Sequence, residues 1–422
     1  MRHTYGSNSH SPTDLRWASW GLVLVELVMI FFLFFWGQFQ RHVRDYTILP
    51  AERDKIRTVM KQLTHIWIVT LLLSFTGTAE RAAAADYQLD TVFETDGVVW
   101  SFAFLSPSEM LVVRRDGKLF YTDFSQNIQR ELPAPSVVTS GQGGLLDVHI
   151  HDEDDVRYIY LTYSTEVDDG DATTALARGE WRDGTLQKLE TLFVADTEGD
   201  SGRHFGSRLL FHGGHIYMTI GDRTERDYAQ DLSVHNGKIL RLDARGRAAR
   251  DNPFSQQKDA LPEIWSYGHR NSQGIDYERD SGRIYSAEFG PRGGDELNLI
   301  ERGKNYGWPV ITYGREYWWP SIGDTHAEGM EQPVAYWTPS ISPSGMVFYY
   351  GDKIPQWRGS LFLANLSSQH LRRLVFGENG KVTEQEVLFD DLDERFRHVR
   401  ESPDGYLYFS TDSGRVVRVS LP

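Results

Sequence analysis

One short pattern of strands recurs six times after residue 99 and constrains the fold more than any other feature of the sequence. In each copy an apolar run, an Asp/Gly turn and a second apolar run ending in a small or hydroxylated residue precede a third run. The copies begin at Trp100, Leu145, Ser207, Ser272, Gly345 and His398. Runs rich in Val, Ile, Tyr and Phe with such boundaries are typical of β-strands, and no long helical periodicity follows Asp86.

The number and spacing of the copies favour a β-propeller. They lie about 45 to 70 residues apart, and a four-stranded blade with its loops needs about 40 residues or more. A pair of β-sandwiches also alternates strands and turns, and it is the alternative for residues 86–422. We predict an all-β, six-bladed β-propeller whose loops converge near the central axis, where a functional site is expected.

The N-terminal region contains two apolar runs that point to a membrane. Residues 17–36 form a 20-residue run whose only charge is Glu26, and about 20 apolar residues are enough to cross a bilayer. Residues 66–75 are a shorter run that comes after Lys61 and precedes four alanines at 82–85. This is the order of parts in a secretory signal peptide, so the sequence predicts export of the chain beyond these alanines.

Two interpretations of this region stay open. In the first, residues 1–59 hold a transmembrane segment and a cytoplasmic connector whose basic side chains follow the positive-inside rule, so the protein is tethered to the inner membrane. In the second, residues 1–59 are an over-extended gene model, translation starts at Met60, and residues 60–85 are a signal peptide. Both predict a periplasmic catalytic domain over residues 86–422.

Charge and cysteine content exclude several functions. The 422 residues include 59 acidic and 44 basic side chains, no cysteine, and a net charge of −15. This charge has the wrong sign for binding nucleic acid. Without cysteine there can be no disulfide framework, no cysteine-ligated zinc or iron–sulfur centre and no covalent haem attachment.

The candidate functional residues lie in five separate loop segments. His204 lies among small residues just before a strand. An imidazole, with an ordinary pKa of about 6.5, is suited to act as a general base. Arg395 and Arg397 would face the same side of a strand and could pair with carboxylates, either on a ligand or on neighbouring acidic residues. The other candidates are Gln142, Arg270, Asn271, Gly290 and Pro291.

Residues 142–421 resemble the soluble pyrroloquinoline quinone (PQQ)-dependent sugar dehydrogenases, particularly the aldose sugar dehydrogenase branch. Eight segments in order carry the resemblance: GQGGLL, HFGSRL, TIGDR, AQDLSVHNGKILRLDARGRAARDNPF, PEIWSYGHRNSQG, EFGPRGGDELNLI, GKNYGWPVITYG and SPDGYLYFSTD. The family fold is a six-bladed propeller, in agreement with the repeat count. The resemblance implies oxidation of aldose sugars at C1 to lactones, with PQQ and Ca²⁺ as cofactors and a quinone, cytochrome or dye as the undefined electron acceptor.

The resemblance also implies roles for the candidates. His204 would take the proton of the anomeric hydroxyl while hydride passes to the quinone, and Arg270 would stabilise the charge that develops there. The cofactor-binding residues implied are Gln142, Arg270, Asn271, Arg395 and Arg397. The backbone carbonyls of Gly290 and Pro291 would bind the calcium ion at the cofactor, and Glu296 with the carbonyl of Tyr306 would bind a second calcium ion.

Two positions depart from the family pattern. Arg203 stands where the glucose dehydrogenase branch has an acid, and a cation there is expected to lower the pKa of His204. Ser367 stands where the family commonly has a lysine that contacts PQQ, so this contact is absent unless Arg372 replaces it. The loop from Glu316 contains two adjacent tryptophans that would form either a sugar-stacking wall or a cap on its blade.

Two other functions compete with the dehydrogenase. A calcium-dependent lactonase-type hydrolase would need several carboxylate or Asn ligands in the propeller channel, whereas arginines are the candidates there. A non-catalytic binding propeller shares the fold, because fold alone does not determine function. A binding propeller would be indicated by loss of the general base, whereas His204 is present in this sequence.

Overall fold

A computed structural model describes residues 87–167, 171–199, 202–317 and 322–422. Within these ranges the chain forms 24 β-strands in six four-stranded sheets, with short 3-10 helices at Arg226–Ala229, Pro355–Trp357 and Asp390–Leu392. The predicted all-β, six-bladed propeller is confirmed. The transmembrane and signal segments predicted within residues 1–85, and the adjacent tryptophans at 318 and 319, lie outside the described residues. No helix in the described ranges is long and apolar enough to cross a membrane.

The first strand, β1 (Gln88–Glu94), belongs to the last blade, and each of the first five blades is a sheet of four consecutive strands after it. Blade 1 contains β2 (Val99–Phe104), β3 (Glu109–Arg114), β4 (Lys118–Asp123) and β5 (Ile128–Leu132). Blade 2 contains β6 (Leu145–Glu153), β7 (Val156–Glu166), β8 (Ala172–Arg182) and β9 (Thr185–Val194). Blade 3 contains β10 (Leu209–His212), β11 (His215–Ile220), β12 (Lys238–Leu242) and β13 (Ile264–Tyr267).

Blades 4 and 5 repeat this order. Blade 4 contains β14 (Ser272–Tyr277), β15 (Ile284–Glu288), β16 (Asp295–Ile300) and β17 (Ala335–Trp337). Blade 5 contains β18 (Pro343–Tyr349), β19 (Ser360–Asn365), β20 (Leu371–Phe376) and β21 (Val382–Leu388). The first strands of neighbouring blades contact one another around the axis, and each sequence copy begins in or next to the first strand of one blade.

Blade 6 is closed by a strand from the other end of the chain. It contains β22 (Phe396–Glu401), β23 (Leu407–Thr411) and β24 (Arg415–Ser420), and its fourth strand is β1. β1 pairs antiparallel with β24, with Gln88 opposite Ser420 and Glu94 opposite Arg415. The repeat pattern does not include β1, so this closing strand is a finding of the structure.

Six apolar clusters join the blades in a ring, and each cluster is shared by two neighbouring blades. Alternate residues of one strand contribute to different clusters because successive side chains point to opposite faces of a sheet. On β3, Leu111 and Val113 pack towards blade 2, whereas Met110 and Val112 pack towards blade 6. Both faces of such a strand are buried, which explains why the strand sequences are continuous apolar runs.

Arg208 connects several blades near the axis. Its guanidinium donates to the backbone carbonyls of Gln273, Trp100 and Arg397, and it lies 3.5 Å from the Asp147 carboxylate. The side chain is 2% exposed, and burial lowers its pKa to about 10. Because Arg208 comes shortly after His204 in the chain, these bonds fix the His204 segment relative to the other blades.

Candidate active site

A cavity of about 390 Å³ brings together half of the site residues predicted from the sequence. Five of the predicted residues line it: Gln142, His204, Arg270, Gly290 and Pro291. Residues for which no role was predicted also line it, among them Asp222, Arg226, Trp308, Glu316 and Tyr317. The loops that meet at this cavity belong to different blades, as expected for a propeller.

His204 and Asp222 form a buried pair at the wall of this cavity. His204 Nδ1 lies 2.6 Å from Asp222 Oδ1, and the two residues are 8% and 1% exposed. Burial acts to raise the pKa of Asp222, but the hydrogen bond and charge of His204 and the charge of Arg270 hold it below its usual value. Because an ionised carboxylate only accepts hydrogen bonds, Nδ1 of His204 donates and Nε2 carries the free lone pair.

The pKa of His204 is lower than that of an ordinary histidine. Burial is the main cause, Asp222 opposes it, and the charges of Arg270 and Arg223 add to the lowering. The direction agrees with the one expected from Arg203, but burial is the main cause and the contributing cations are Arg270 and Arg223. Arg203 itself is exposed and lines the same cavity.

The backbone at His204 has an unusual conformation that its neighbours hold in place. His204 has a φ of 55°, in the left-handed region that few non-glycine residues adopt. Its backbone N–H donates to Gln142 Oε1 at 2.9 Å. A side chain at Gly221 would collide with the carbonyl of His204, which explains the glycine in the TIGDR segment. Gln142 therefore positions the candidate base through its backbone.

Asp222 is oriented by three further groups. Trp308 Nε1 donates to Asp222 Oδ2 at 2.8 Å, and the backbone N–H of Thr224 donates to Oδ1 at 2.9 Å. The backbone N–H of Asp222 donates to the carbonyl of Arg270. Asp222 and Trp308 lie in the segments TIGDR and GKNYGW, but neither was among the predicted site residues. The available signal was an acidic residue just after a strand, at the sheet end where His204 enters.

Arg270 lies between the cavity and the Gly290 loop. Its Nη1 donates to the carbonyls of Phe289 and Gly290, at 3.1 and 2.9 Å, and its guanidinium lies 5.3 Å from the centre of the Trp308 ring. The buried Nε of Arg270 has no hydrogen-bond partner among the described residues. Arg270 therefore keeps a donor unused beside the cavity.

Asn271 lies behind the cavity and does not line it. The residue is 1% exposed, and its Oδ1 accepts the backbone N–H of Gly206 at 3.1 Å. Its Nδ2 is buried and has no partner within the part of the chain that the structure describes. These contacts support the loop that comes after His204.

Gly290 and Pro291 present carbonyl oxygens at the cavity wall. The carbonyl of Gly290 accepts from Arg270, and that of Pro291 accepts from the Tyr317 hydroxyl at 3.1 Å. Asp295 Oδ1 holds the loop by accepting the N–H of Gly290 at 2.8 Å. Backbone carbonyls are suitable ligands for a hard cation such as calcium.

Glu296 and Tyr306 line a separate small cavity of about 10 Å³, together with Glu288 and Arg270. Asn298 Nδ2 donates to Glu288 at 2.9 Å and to Glu296 at 3.2 Å. Burial and the nearby charge of Glu288 raise the pKa of Glu296 to about 8. Over the described ranges no three His, Asp or Glu side chains form a metal-binding group, so a cation here would also need backbone ligands.

Arg395 and Arg397 line neither of these cavities and share one carboxylate. Arg395 Nε donates to Asp412 Oδ2, and Arg397 Nε donates to Asp412 Oδ1, each at 2.8 Å. The two arginines thus face the same group, as their spacing predicts. Their acidic partner is Asp412, in the turn between β23 and β24, and Glu394 pairs with Arg415 instead.

A second cavity of about 840 Å³ adjoins the first. The two share Pro291, Glu316, Tyr317, Ser340 and Ser342 as lining residues, and the second is also lined by Arg292, Arg315 and Ser367. Ser367 Oγ donates to the carbonyl of Ser340 at 3.1 Å.

Arg372 does not line the second cavity. Arg372 lies on β20, where its Nη1 donates to Gln385 at 3.0 Å, and it lines neither cavity. Arg372 is therefore not placed to replace the lysine that the family commonly has at the position of Ser367. Arg395 Nη1, by contrast, lies 3.5 Å from the carbonyl of Leu366, next to Ser367.

Comparison with known proteins establishes the family. The model of the glucose/sorbosone dehydrogenase family matches residues 97–418, which covers the six blades except β1 and the last residues of β24. The chain belongs to the glucose/sorbosone dehydrogenase family. The resemblance stated from the sequence motifs is confirmed.

This glucose/sorbosone dehydrogenase family member is 40% identical over 351 residues to the aldose sugar dehydrogenase YliI of Escherichia coli (strain K12), an alignment that covers 80% of this chain and 94% of that protein. The solved structure of the soluble aldose sugar dehydrogenase from Escherichia coli, in its apo form, aligns with a TM-score of 0.77 and 38% identity over 80% of this chain and all of that one. The PQQ-bound form of the aldose sugar dehydrogenase from Streptomyces coelicolor aligns with a TM-score of 0.65 and 26% identity, over 80% and 99% of the two chains.

Proposed function

We propose that this protein oxidises aldose sugars at C1 to lactones, with PQQ as the hydride acceptor, Ca²⁺ at the cofactor and His204 as the general base. The observation that carries the proposal is the buried His204–Asp222 pair at the wall of a cavity that Arg270 also lines. The relatives named aldose sugar dehydrogenase, one of them solved with PQQ bound, support the choice of substrate and cofactor.

The residues around the two cavities fit a planar cofactor with several carboxylates. Cofactor sites usually occupy about 300–1,000 Å³, and the adjoining cavities of about 390 and 840 Å³ are in this range. Arg270 and Arg226 line the first cavity, and Arg292 and Arg315 line the second.

His204 can act as a base because Asp222 sets its protonation state. With Nδ1 donating to Asp222, Nε2 accepts the proton of the anomeric hydroxyl as the C1–O bond becomes a carbonyl and hydride leaves C1. The imidazolium formed in this step is stabilised by the ionised Asp222 at 2.6 Å. PQQ, when bound, supplies the o-quinone that accepts the hydride.

Arg270 would stabilise negative charge on the acceptor side of the cavity. It is always charged, and its position over the Trp308 ring and against two carbonyls restricts its movement. A fixed cation in a partly dehydrated site stabilises developing charge more effectively than water does. Arg395 and Arg397 would add attraction for the cofactor's carboxylates, because one Asp412 carboxylate balances only one of their two charges.

The carbonyls of Gly290 and Pro291 would hold the calcium ion at the cofactor, where it would act as a Lewis acid. Glu296, with the carbonyl of Tyr306, would hold the second calcium ion. The raised pKa of Glu296 indicates that a second negative charge beside Glu288 is unfavourable without a cation.

The proposal is tested by dye-coupled oxidation of a panel of aldoses by the purified protein, with and without added PQQ and Ca²⁺, and with lactone identified as the product. We expect turnover that requires both additions and is lost in His204→Gln. Saturating PQQ and Ca²⁺ without turnover of any aldose would overturn the proposal. Hydrolysis of lactones that needs calcium but no PQQ would favour the hydrolase alternative.

A further inference from the structure

Two arginines in the larger cavity have no acidic partner among the residues that the structure describes. Arg292 and Arg315 are both exposed and both line the cavity of about 840 Å³. Neither forms an ion pair with any carboxylate of the described residues, whereas Arg226 at the neighbouring wall pairs with Glu316 at 2.6 Å. The larger cavity therefore contains two positive charges that no described carboxylate compensates.

The backbone brings these two residues together. The N–H of Arg292 donates to the carbonyl of Arg315 at 3.2 Å, as an isolated antiparallel bridge between two loops. Arg292 Nη1 also lies 3.5 Å from the carbonyl of Tyr317. Two like charges on adjacent loops repel each other unless an anion lies between them. Residues 86–422 contain 53 acidic and 35 basic side chains, so acidic partners are abundant elsewhere in this chain.

We propose that Arg292 and Arg315 form a carboxylate-binding subsite for PQQ. They would supply the positive charge that a lysine at position 367 supplies in the family. This inference rests on the proposed function. Ser367 lines the same cavity as the two arginines, and its hydroxyl is occupied by the carbonyl of Ser340. The positive charge absent at Ser367 is thus present on other loops of the same cavity.

The larger cavity is placed to receive one end of a ligand that reaches His204. Pro291, Ser340 and Ser342 line both cavities, so a planar molecule can extend from the base to the two arginines. Guanidinium groups suit carboxylates because they donate two parallel hydrogen bonds. Asp412 neutralises part of the charge of Arg395 and Arg397, but no described carboxylate does so for the two arginines of the larger cavity.

The experiment measures the affinity of the purified full chain for PQQ in the presence of Ca²⁺, by titration of tryptophan fluorescence. We expect Arg292→Gln and Arg315→Gln each to weaken PQQ binding about tenfold, and the double variant about a hundredfold. Adding Ser367→Lys to the double variant should restore at least about tenfold. Arg250→Gln is the matched control, because Arg250 is exposed and lines neither cavity.

The outcomes separate this inference from the proposed function. If the wild-type chain binds PQQ and the double variant binds it within about twofold of wild type, the subsite is wrong and the proposed function stands. If the wild-type chain does not bind PQQ, both are overturned. If the double variant binds PQQ normally but has a raised KM for uronic acids alone, the arginines bind a substrate carboxylate and the inference is also wrong.

A second measurement keeps the test valid if the glutamine variants are unstable. In Arg292→Lys and Arg315→Lys the charge is kept and the bidentate geometry is lost. We expect their PQQ affinity to lie between those of wild type and the glutamine variants. Equal affinities in all of these variants would contradict a role for the arginines.

Discussion

Two clusters at the same end of the propeller each place basic side chains against an aspartate, but the number of basic groups for each carboxylate differs. In the first, one imidazole meets one carboxylate, His204 with Asp222. In the second, two guanidinium groups meet one carboxylate, Arg395 and Arg397 with Asp412. The first pair can change its charge by one proton, whereas the second cluster always keeps one positive charge. This difference separates a group suited to proton transfer from a group suited to holding an anion.

Replacement of the base should have the largest effect on activity. We expect His204→Gln to lower kcat about 10²–10⁴-fold, the usual contribution of a general base, and to leave PQQ affinity nearly unchanged. His212→Gln is the matched control, because His212 lies at the far end of the β10–β11 hairpin and pairs with His215 in the register. A His204→Gln variant with more than about a tenth of wild-type kcat would remove the proton-transfer role from this pair.

Replacement of Asp222 should change both the rate and its pH dependence. Because burial lowers the pKa of His204, the acidic limb of kcat/KM in wild type should lie below the ordinary value of about 6.5. Asp222 opposes this lowering, so Asp222→Asn should move the limb to still lower pH and reduce kcat about a hundredfold. The profile is measured from about pH 4.5 to 8. Asp412→Asn should leave the limb in place, and a shift there would contradict the separation of the two clusters.

The arginine cluster should affect cofactor binding more than proton transfer. We expect Arg397→Gln to weaken PQQ binding a few-fold, since it removes the one positive charge that Asp412 leaves unbalanced. Asp412→Asn should instead strengthen PQQ binding a few-fold and lower Tm by several degrees, because it frees both arginines but breaks their ion pairs. Equal PQQ affinities in the two variants would show that the spare charge does not act on the cofactor.

The smallest effect should come from the tryptophan that orients Asp222. Trp308→Phe keeps a ring beside Arg270 and removes the Nε1–H donor to Asp222, a neutral donor to a charged group. We expect kcat to fall about three- to tenfold. The Asp222 charge would be less stabilised, so the pKa of His204 should rise and the acidic limb should move slightly to higher pH. A shift in the same direction as in Asp222→Asn would contradict this account.

The features that could be predicted from the sequence are those that depend on neighbours along the chain. The apolar runs and the six copies identify the blades, and the small residues around His204 identify it as a candidate. The sequence did not identify Asp222 as the partner of His204 or Asp412 as the partner of the two arginines, because these contacts depend on which residues the strand pairing brings side by side. In blade 6, for example, Phe396 pairs with Thr411, which places Asp412 beside Arg395 and Arg397. Such a register results from sheet assembly and cannot be obtained from spacing alone.

The pairing of β1 with β24 also determines when the protein becomes complete. During synthesis the first five blades can form from consecutive strands, but β1 has no partner until the last residues, up to Ser420, have been made. The arginine cluster belongs to that last blade, whose sheet is complete only once β1 has paired with β24. A cut after Ala85 would leave β1 whole, whereas a cut within β1 would leave blade 6 with an open sheet edge, a site prone to aggregation.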